Sequence, residues 1–528
     1  MVSEKRYIAV DLGADSGRVM LGLVSADRMR LEEIHRFGNG PIEQDGSLRW
    51  DFGRILAEVK AGIGKAAGQA GGKIAGIGID SWGVDFGLLD ERGKLIENPY
   101  HYRDKRTNGM MEAAFRLMPQ REIYENTGIQ FMQFNSIYQL LSTRLGVGGT
   151  KAGLTADGPN FQTGSVLRNV PSRSRMRLTK SPVLAKAKQL LFIADLISYF
   201  LSGKLYTEYT LAGTSQLMDM RTGKWSKEVF RKLNLPIELM PEVLSPGTVV
   251  GTLTREVARE IGCDRIPVVA VGSHDTASAV VAVPAEEQTK WAYLSSGTWS
   301  IVGVELSKAI VNDKTFENQL TNEGGVEGTI RLLTNIMGMW PVQECRRQWQ
   351  KEGDDLSYGQ LTAMAEKAAA FAAPLDVNDG RFLAPGDMPR RINEYLAEKG
   401  QKKIKDKGQI VRILLECLAL KYRETLDGLE EVVAKKIDRL HIVGGGSQNE
   451  LLNQFAASAT GKQVITGPVE AAAIGNILMQ ARATGQINST IHGRRLVRES
   501  FELKQYHPKE TTAWERQYKK IQKVASHN

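Results

Sequence analysis

Residues 7–24 read YIAVDLGADSGRVMLGLV: an apolar run, a turn of small and acidic residues, and a second apolar run. Tyr7–Val10 and Val19–Val24 read as strands, and Gly13, Ala14, Ser16 and Gly17 leave the connecting backbone thinly covered by side chains. The pattern predicts a hairpin wrapped around something that approaches its backbone closely. Asp11 stands where the first strand ends.

About 285 residues downstream the same grammar returns. Residues 291–304, WAYLSSGTWSIVGV, again place small residues between two apolar runs. Two such hairpins predict two related halves that face one ligand. Between and after them, strand-like Ile74–Asp80, Val84–Leu89, Ile266–Val271 and Leu440–Val443 alternate with helical patterns at Leu56–Ala67, Ala185–Leu201, Ile410–Leu429, Glu450–Ala459 and Glu470–Gln480. Such alternation predicts an α/β core. The expected division is an N-terminal domain over 1–283, a C-terminal domain over 284–496 and a polar, basic surface tail over 497–528.

The chain has 528 residues, of which 42% are apolar and 24% charged, which excludes wholesale disorder and suits two or three domains. Its net charge is +9, from 69 Lys and Arg against 60 Asp and Glu. Residues 146–180 alone hold Lys151, Arg168, Arg173, Arg175, Arg177 and Lys180 against Asp157, so +5 of the excess sits in one Gly/Pro/Ser-rich stretch. A general polyanion binder would spread its charge, and no nucleic-acid partner is expected. Cys263, Cys345 and Cys417 are too few and too scattered for a disulfide framework or thiolate zinc site. No apolar run reaches membrane-spanning length, and MVSEKRYIAV runs into a strand without an apolar leader. The expectation is a cytoplasmic protein with no membrane partner.

Phosphate chemistry is suggested by exclusion and by strand ends. Neither an intact GxxxxGK[ST] motif nor a GxGxxG opening a βαβ unit is present; GVGGTK at 146–151 has the wrong spacing and no preceding strand. Gly444–Gly446 follows an apolar strand and precedes a helix, a place where phosphate can meet backbone N–H groups. Asp11 and Asp275 each close an apolar run. One such carboxylate can hold a hydrated Mg2+ beside ATP phosphates, and another can take the proton of an attacking hydroxyl. Both positions equally suit a turn-capping aspartate.

Taken together, GIGIDSWGVDFGLLD, HYRDKRT, VVAVGSHDTASAV, YLSSGTWSIVG, TNEGG, LLTNIMGMW, FLAPGDMP, HIVGGGSQNELLNQ and GPVEAAAIGN resemble the FGGY carbohydrate kinases over most of residues 6–490. DSWGVDFGLLD, SHDTASAV and LSSGTWS are closest to the branch of that family that phosphorylates L-rhamnulose. The resemblance implies the actin-like, RNase-H-like ATPase fold, with two α/β domains around a central cleft. It implies that Asp11 lies near Mg2+, that Ala14, Asp15, Ser16, Gly17 and Arg18 form a first ATP loop, and that Thr298, Asn335, Gln343 and Gly445 surround the nucleotide. Gly83, His274, Asp275 and Thr276 would line the sugar, with Asp275 the base; Asp104, Arg106 and Asn135 are further sugar-side candidates. The implied reaction takes ATP and a ketose to ADP and a ketose 1-phosphate, in a monomer or homodimer. L-fuculose is an alternative ketose, and a non-catalytic ATP-binding module of the actin/heat-shock type is an alternative class.

Four departures accompany the resemblance, one of them the GQKKIKDKG stretch at 400–408, which lacks the usual small-polar character. The basic stretch at 146–180 reads as an insertion. Glu327 stands where a small or apolar residue is expected. Pro341 falls where a helix is expected, and in a helix interior it would cost about 3 kcal/mol.

Overall fold

The computed structural model describes residues 4–147, 181–286 and 290–525. Nearly all of the predicted basic insertion therefore lies outside the described residues. The chain divides into two compact units: Met1–Val281 with Leu306–Leu332 and Ala472–Gly493, and Ala282–Glu305 with Leu333–Ala471 and Arg494–Asn528. The sequence suggests one crossing near residue 283, whereas the chain returns to the first unit twice more. Local periodicity marks elements but carries no signal of such returns.

In the first unit, β1 (Lys5–Leu12), β2 (Ser16–Val24) and β3 (Met29–Gly38) form an antiparallel meander. Then follow α1 (Phe52–Gln69), β4 (Ile74–Ser81), β5 (Thr248–Thr252), β6 (Pro267–Ala270) and α2 (Asp275–Val281). The sheet order is β5-β6-β4-β1-β2-β3, with β6, β4 and β1 parallel. Tyr7, Ile8, Ala9, Val10 and Leu12 are all fully buried, as a central strand covered on both faces requires. Asp51 caps α1 by accepting from Arg54 N at 3.1 Å. Gly62, a weak helix former, lets α1 approach the sheet, because a Cβ there would lie 2.4 Å from Val19. The helix Ala471–Ala483 brings the chain back: a Cβ on Gly475 would lie 1.7 Å from Ser278 O, and Gln480 donates to Ile8 O at 2.9 Å.

The second unit contains β7 (Trp291–Ser296), β8 (Trp299–Leu306), β9 (Ile330–Met337), α3 (Trp340–Lys351), α4 (Lys407–Val433), β10 (Arg439–Val443), α5 (Glu450–Thr460), β11 (Gln463–Thr466), β12 (Lys504–Tyr506) and α6 (Thr511–Ala525). The sheet runs β12-β11-β10-β7-β8-β9 and ends in a seventh strand, Thr321–Gly324, beyond β9; β11, β10 and β7 are parallel and the β7–β8 and β11–β12 pairs antiparallel. Six of its seven strands repeat the order of the first unit's sheet.

Three local expectations change. Ala185–Leu201 is not one helix: Gln189–Phe192 is a strand paired with Phe86–Leu89, and the helix is Ile193–Ser202. Leu190 and Leu191 are buried in both readings, and the strand partner decides between them. Residues beyond 497 are no loose tail: β12 extends the sheet, and Trp514 of α6 is buried against Phe371 and Phe455, with ring centroids 4.9 and 5.3 Å away. Pro341 occupies the first turn of α3, where no intrahelical N–H is needed, so the expected cost does not arise. Glu327 takes φ +55 in a turn, ion-pairs with Arg482 at 2.6 Å and accepts from Thr490 N at 3.2 Å.

Candidate active site

The parallel strands of the first unit end in acids. Asp11 and Asp80 are register partners on β1 and β4, so their side chains share a face, and both are buried. Asp11 Oδ2 accepts from Arg18 at 2.5 Å. Asp80 Oδ2 accepts from Asn476 at 2.6 Å, whereas its Oδ1 is buried with no partner among the described residues. Burial raises the Asp80 pKa well above the usual carboxylate range, and the charges of Asp11 and Asp275 add to it.

Asp275 opens α2, after β6. Its Oδ1 accepts from Thr276 N at 2.6 Å and Thr276 Oγ1 at 3.2 Å, and faces His274 Nε2 at 3.5 Å. No donor among the described residues reaches Oδ2. Although 31% of the side chain is exposed, enough protein surrounds the carboxylate that desolvation leads an upward pKa shift, opposed by His274 and reinforced by Asp11. One oxygen is thus anchored and the other is left as an acceptor.

The segment carrying this acid is fixed from two sides. Ser81 N donates to Ser273 O at 2.8 Å. Ser273 N donates to Glu208 Oε2 at 3.1 Å and His274 N to Thr210 Oγ1 at 3.0 Å. Glu208 also accepts from Thr210 N, Thr210 Oγ1 and Leu211 N, and burial pushes its pKa up to about 7.

Gly83 follows β4 within the same unit. Val84 takes φ +69, a strained region for a β-branched residue, and both its backbone groups are engaged: N donates to Thr214 Oγ1 at 3.2 Å and O accepts from Ser136 Oγ at 2.6 Å. A Cβ on Gly83 would lie 3.0 Å from Thr214, so the loop is packed as tightly as its side chains allow. Behind it, buried Asp85 gathers Trp50 Nε1 at 2.7 Å, Trp82 Nε1 at 3.0 Å, Tyr102 N at 3.1 Å and Gln139 Nε2 at 2.7 Å. Burial still lifts its pKa to about 6.

Asp104, Arg106 and Asn135 are held by internal bonds. Asp104 accepts from Leu48 N and Arg106 N; Arg106 lies 3.8 Å over the Tyr100 ring and donates to Gln139 and Thr143; Asn135 donates to Gln130 O and Gln216 Oε1. Ala14, Asp15, Ser16, Gly17 and Arg18 lie in the β1–β2 turn and the start of β2. There Gly13 N donates to Ser16 O at 2.9 Å and Asn39 Nδ2 to Gly13 O at 2.8 Å.

In the second unit, Thr298 sits in the β7–β8 turn, where Gly297 N donates to Trp299 O at 2.8 Å and Trp340 N to Thr298 O at 3.2 Å. Asn335 lies on β9, and Gln343 in α3 has a buried Oε1 without a partner among the described residues. Gly444 and Gly446 pack on Ser296: Cβ atoms there would lie 2.9 Å from its O and 2.0 Å from its Oγ. A Cβ on Gly445 would meet nothing within 4 Å, which leaves open space at its Cα.

Sequence reasoning missed Asp80, Glu208, Glu323 and Arg331. Asp80 carried the signal used for Asp11 and Asp275, an acid closing the apolar run Ile74–Ile79. The other three act through partners distant in the chain and leave no local pattern. Among the described residues, no group of three or more His, Cys, Asp or Glu is placed to hold a metal ion. No described helix is long and apolar enough to cross a membrane.

The profiles of the FGGY family of carbohydrate kinases match residues 6–142 and 176–282 (N-terminal domain) and 292–484 (C-terminal domain). A protein of Bacteroides thetaiotaomicron named rhamnulokinase is 41% identical over 515 residues, 98% of each chain. Another of that name, from Halalkalibacterium halodurans, is 38% identical over 94% of this chain and 98% of its own. Among solved structures, the xylulose kinase of Lactobacillus acidophilus matches with a TM-score of 0.76 at 17% identity, over 99% of this chain and 98% of that one. Plasmodium falciparum glycerol kinase with ADP gives 0.71 at 16% identity, over 99% and 98%. The chain has the two-domain α/β fold of these xylulose and glycerol kinase structures.

Proposed function

The chain belongs to the FGGY family of carbohydrate kinases, enzymes that phosphorylate a sugar with ATP, and from that premise we propose that it phosphorylates L-rhamnulose at O1. The sugar is supported by relatives that share 41% and 38% identity over nearly their whole length and are named rhamnulokinase. The chemistry is supported by one observation: Asp275 has one oxygen anchored by Thr276 and the other without a donor among the described residues.

In this reading the substrate hydroxyl donates to Asp275 Oδ2 and loses its proton there as O1 bonds to the γ-phosphorus, the bond from that phosphorus to the β–γ bridging oxygen breaks and ADP leaves. The upward shift from burial brings the carboxyl nearer to neutral pH and makes it a better proton acceptor. His274, Thr276 and the strained Gly83–Val84 backbone orient the ketose. Within the first unit, Ala14–Arg18 are assigned to ATP phosphates; within the second unit taken by itself, Thr298, Asn335, Gln343 and Gly445 are assigned to nucleotide. The donor set fits Mg2+: hard oxygens on Asp11 and Asp80, one of them buried and unpartnered, suit an ion that keeps most of its waters and takes one or two carboxylates. Bound there, Mg2+ would offset negative charge on the phosphates.

The test is ADP release with a ketose panel that includes L-rhamnulose and L-fuculose, with the product identified by NMR. A 1-phosphate of L-rhamnulose at the highest kcat/KM is the expected result. Equal turnover with water and L-rhamnulose would overturn the sugar, and a higher kcat/KM for L-fuculose would transfer the assignment.

A further inference from the structure

We infer that Arg331 and Glu323 are positioning residues that fix the tautomer of His274 and, through it, the ionised state of Asp275. The inference rests on Asp275 acting as the base.

Arg331 is fully buried near the start of β9, on the part of that strand up to Leu332 that belongs to the first unit. Its Nε donates to Gly324 O at 2.9 Å, and its Nη2 lies 3.1 Å from both Glu323 Oε2 and His274 Nδ1. A guanidinium has only donors, so the contact with Nδ1 requires that nitrogen to be the acceptor. The imidazole proton is then on Nε2. That nitrogen faces Asp275 Oδ1 at 3.5 Å, a separation that a bound substrate can shorten.

The opposite tautomer fails at both ends. A proton on Nδ1 would meet an Arg331 N–H head-on across 3.1 Å, and the Nε2 lone pair would face a carboxylate oxygen. Glu323 Oε2 lies 3.4 Å from Nδ1 and could accept from an Nδ1–H, but Arg331 Nη2 is closer to that nitrogen at 3.1 Å and holds Oε2 at the same distance, so the geometry favours Nδ1 as acceptor. Glu323 thereby neutralises the buried guanidinium that faces the ring.

The consequence bears on the reaction. Burial drives the Asp275 carboxyl toward its protonated, inert form. An N–H turned toward Oδ1, together with the Thr276 donors, favours the carboxylate and leaves Oδ2 open for the substrate proton. Were the pair only structural, its loss would change stability without changing which ring nitrogen carries the proton.

The decisive measurement is the long-range 1H–15N spectrum of the full chain with 15N-labelled histidine at pH 7.5, with the His274 signals assigned by their loss in His274→Gln. The wild-type protein should show a protonated Nε2 and a bare Nδ1 at His274. Arg331→Lys, which keeps a donor, should retain that pattern and lose less than tenfold in kcat. Arg331→Met should mix the tautomers and lower kcat tenfold or more, with the KM for ATP within twofold. Glu323→Gln should lower kcat severalfold with the same KM pattern. A wild-type His274 protonated on Nδ1, or on both nitrogens, overturns the inference without any variant, and so does full kcat in a folded Arg331→Met. If Arg331→Met does not fold, the wild-type spectrum and Glu323→Gln decide. Because the spectrum needs no substrate, a wrong ketose assignment would leave its outcome unaffected.

Discussion

The two sheets share one strand plan and differ in what their parallel strands deliver. In the first unit β1, β4 and the segment after β6 end in Asp11, Asp80 and His274-Asp275. In the second, the equivalents β7, β10 and β11 end in Ser295-Ser296, Gly444–Gly446 and Gly467-Pro468. Strand ends project groups past the sheet in both units. In the first they project acids, and desolvation with neighbouring carboxylates raises the pKa values of Asp80 and Asp275. In the second they project backbone and small side chains with no charge to titrate. Topology repeats while the strand ends differ: acids in one unit, backbone and small side chains in the other.

If that division holds, the largest single effect comes from the first unit. Asp275→Asn keeps the Oδ1 anchors but removes the acceptor for the substrate proton, and kcat should fall about a thousandfold, within the range of a positioned general base. The KM for ATP should stay within twofold, because nucleotide contacts lie elsewhere in this reading. Steady-state kinetics with saturating ketose checks both numbers. A fall confined to the KM for ATP would break the division.

The acids also make the first unit pH-sensitive. Glu208 has a folded pKa of about 7 against an ordinary 4.5. Between those values the folded chain keeps a proton that the unfolded chain has released, so this group's contribution falls as pH rises from 4.5 to 7 and is level above. A shift of that size corresponds to about 3 kcal/mol. Urea midpoints of wild type and Glu208→Gln across pH 4.5–8 should differ in slope over that window and run parallel above it. Parallel curves throughout would mean that Glu208 is not held as a buried acid.

What the sequence made legible follows the same division. The β1–β2 and β7–β8 hairpins stood out because small residues flanked by apolar runs are a local pattern, and Asp11 and Asp275 stood out because each closes such a run. The strand at Gln189–Phe192 did not, since its apolar residues fit a helix equally well until Phe86–Leu89 pairs with it. Glu208 and Arg331 matter through Ser273 and His274, 65 and 57 residues away in the chain. The helix Ala471–Ala483 showed its apolar face, yet its Asn476 looks ordinary until it is seen bonded to Asp80, 396 residues earlier. Local chemistry was readable; buried polar partnerships were not, because pairing leaves no periodicity.

The smallest predicted effect tests the second unit's half of the comparison, and it uses two adjacent glycines. A Cβ at Gly446 would lie 2.0 Å from Ser296 Oγ, so Gly446→Ala must displace the β7 end and should destabilise the protein by about 1–3 kcal/mol, as overpacking does. A Cβ at Gly445 meets no protein atom within 4 Å, so Gly445→Ala should leave stability within about 0.5 kcal/mol. If the open space at Gly445 is where phosphate meets backbone, the added methyl group should raise the KM for ATP severalfold with kcat nearly unchanged. Urea titration and ATP saturation curves on the two variants separate the effects. Gly446 then reports packing and Gly445 reports ligand. An unchanged KM in Gly445→Ala would mean that this turn holds the sheet together without touching nucleotide, and within the second unit the phosphate-binding role would fall to the β7–β8 turn.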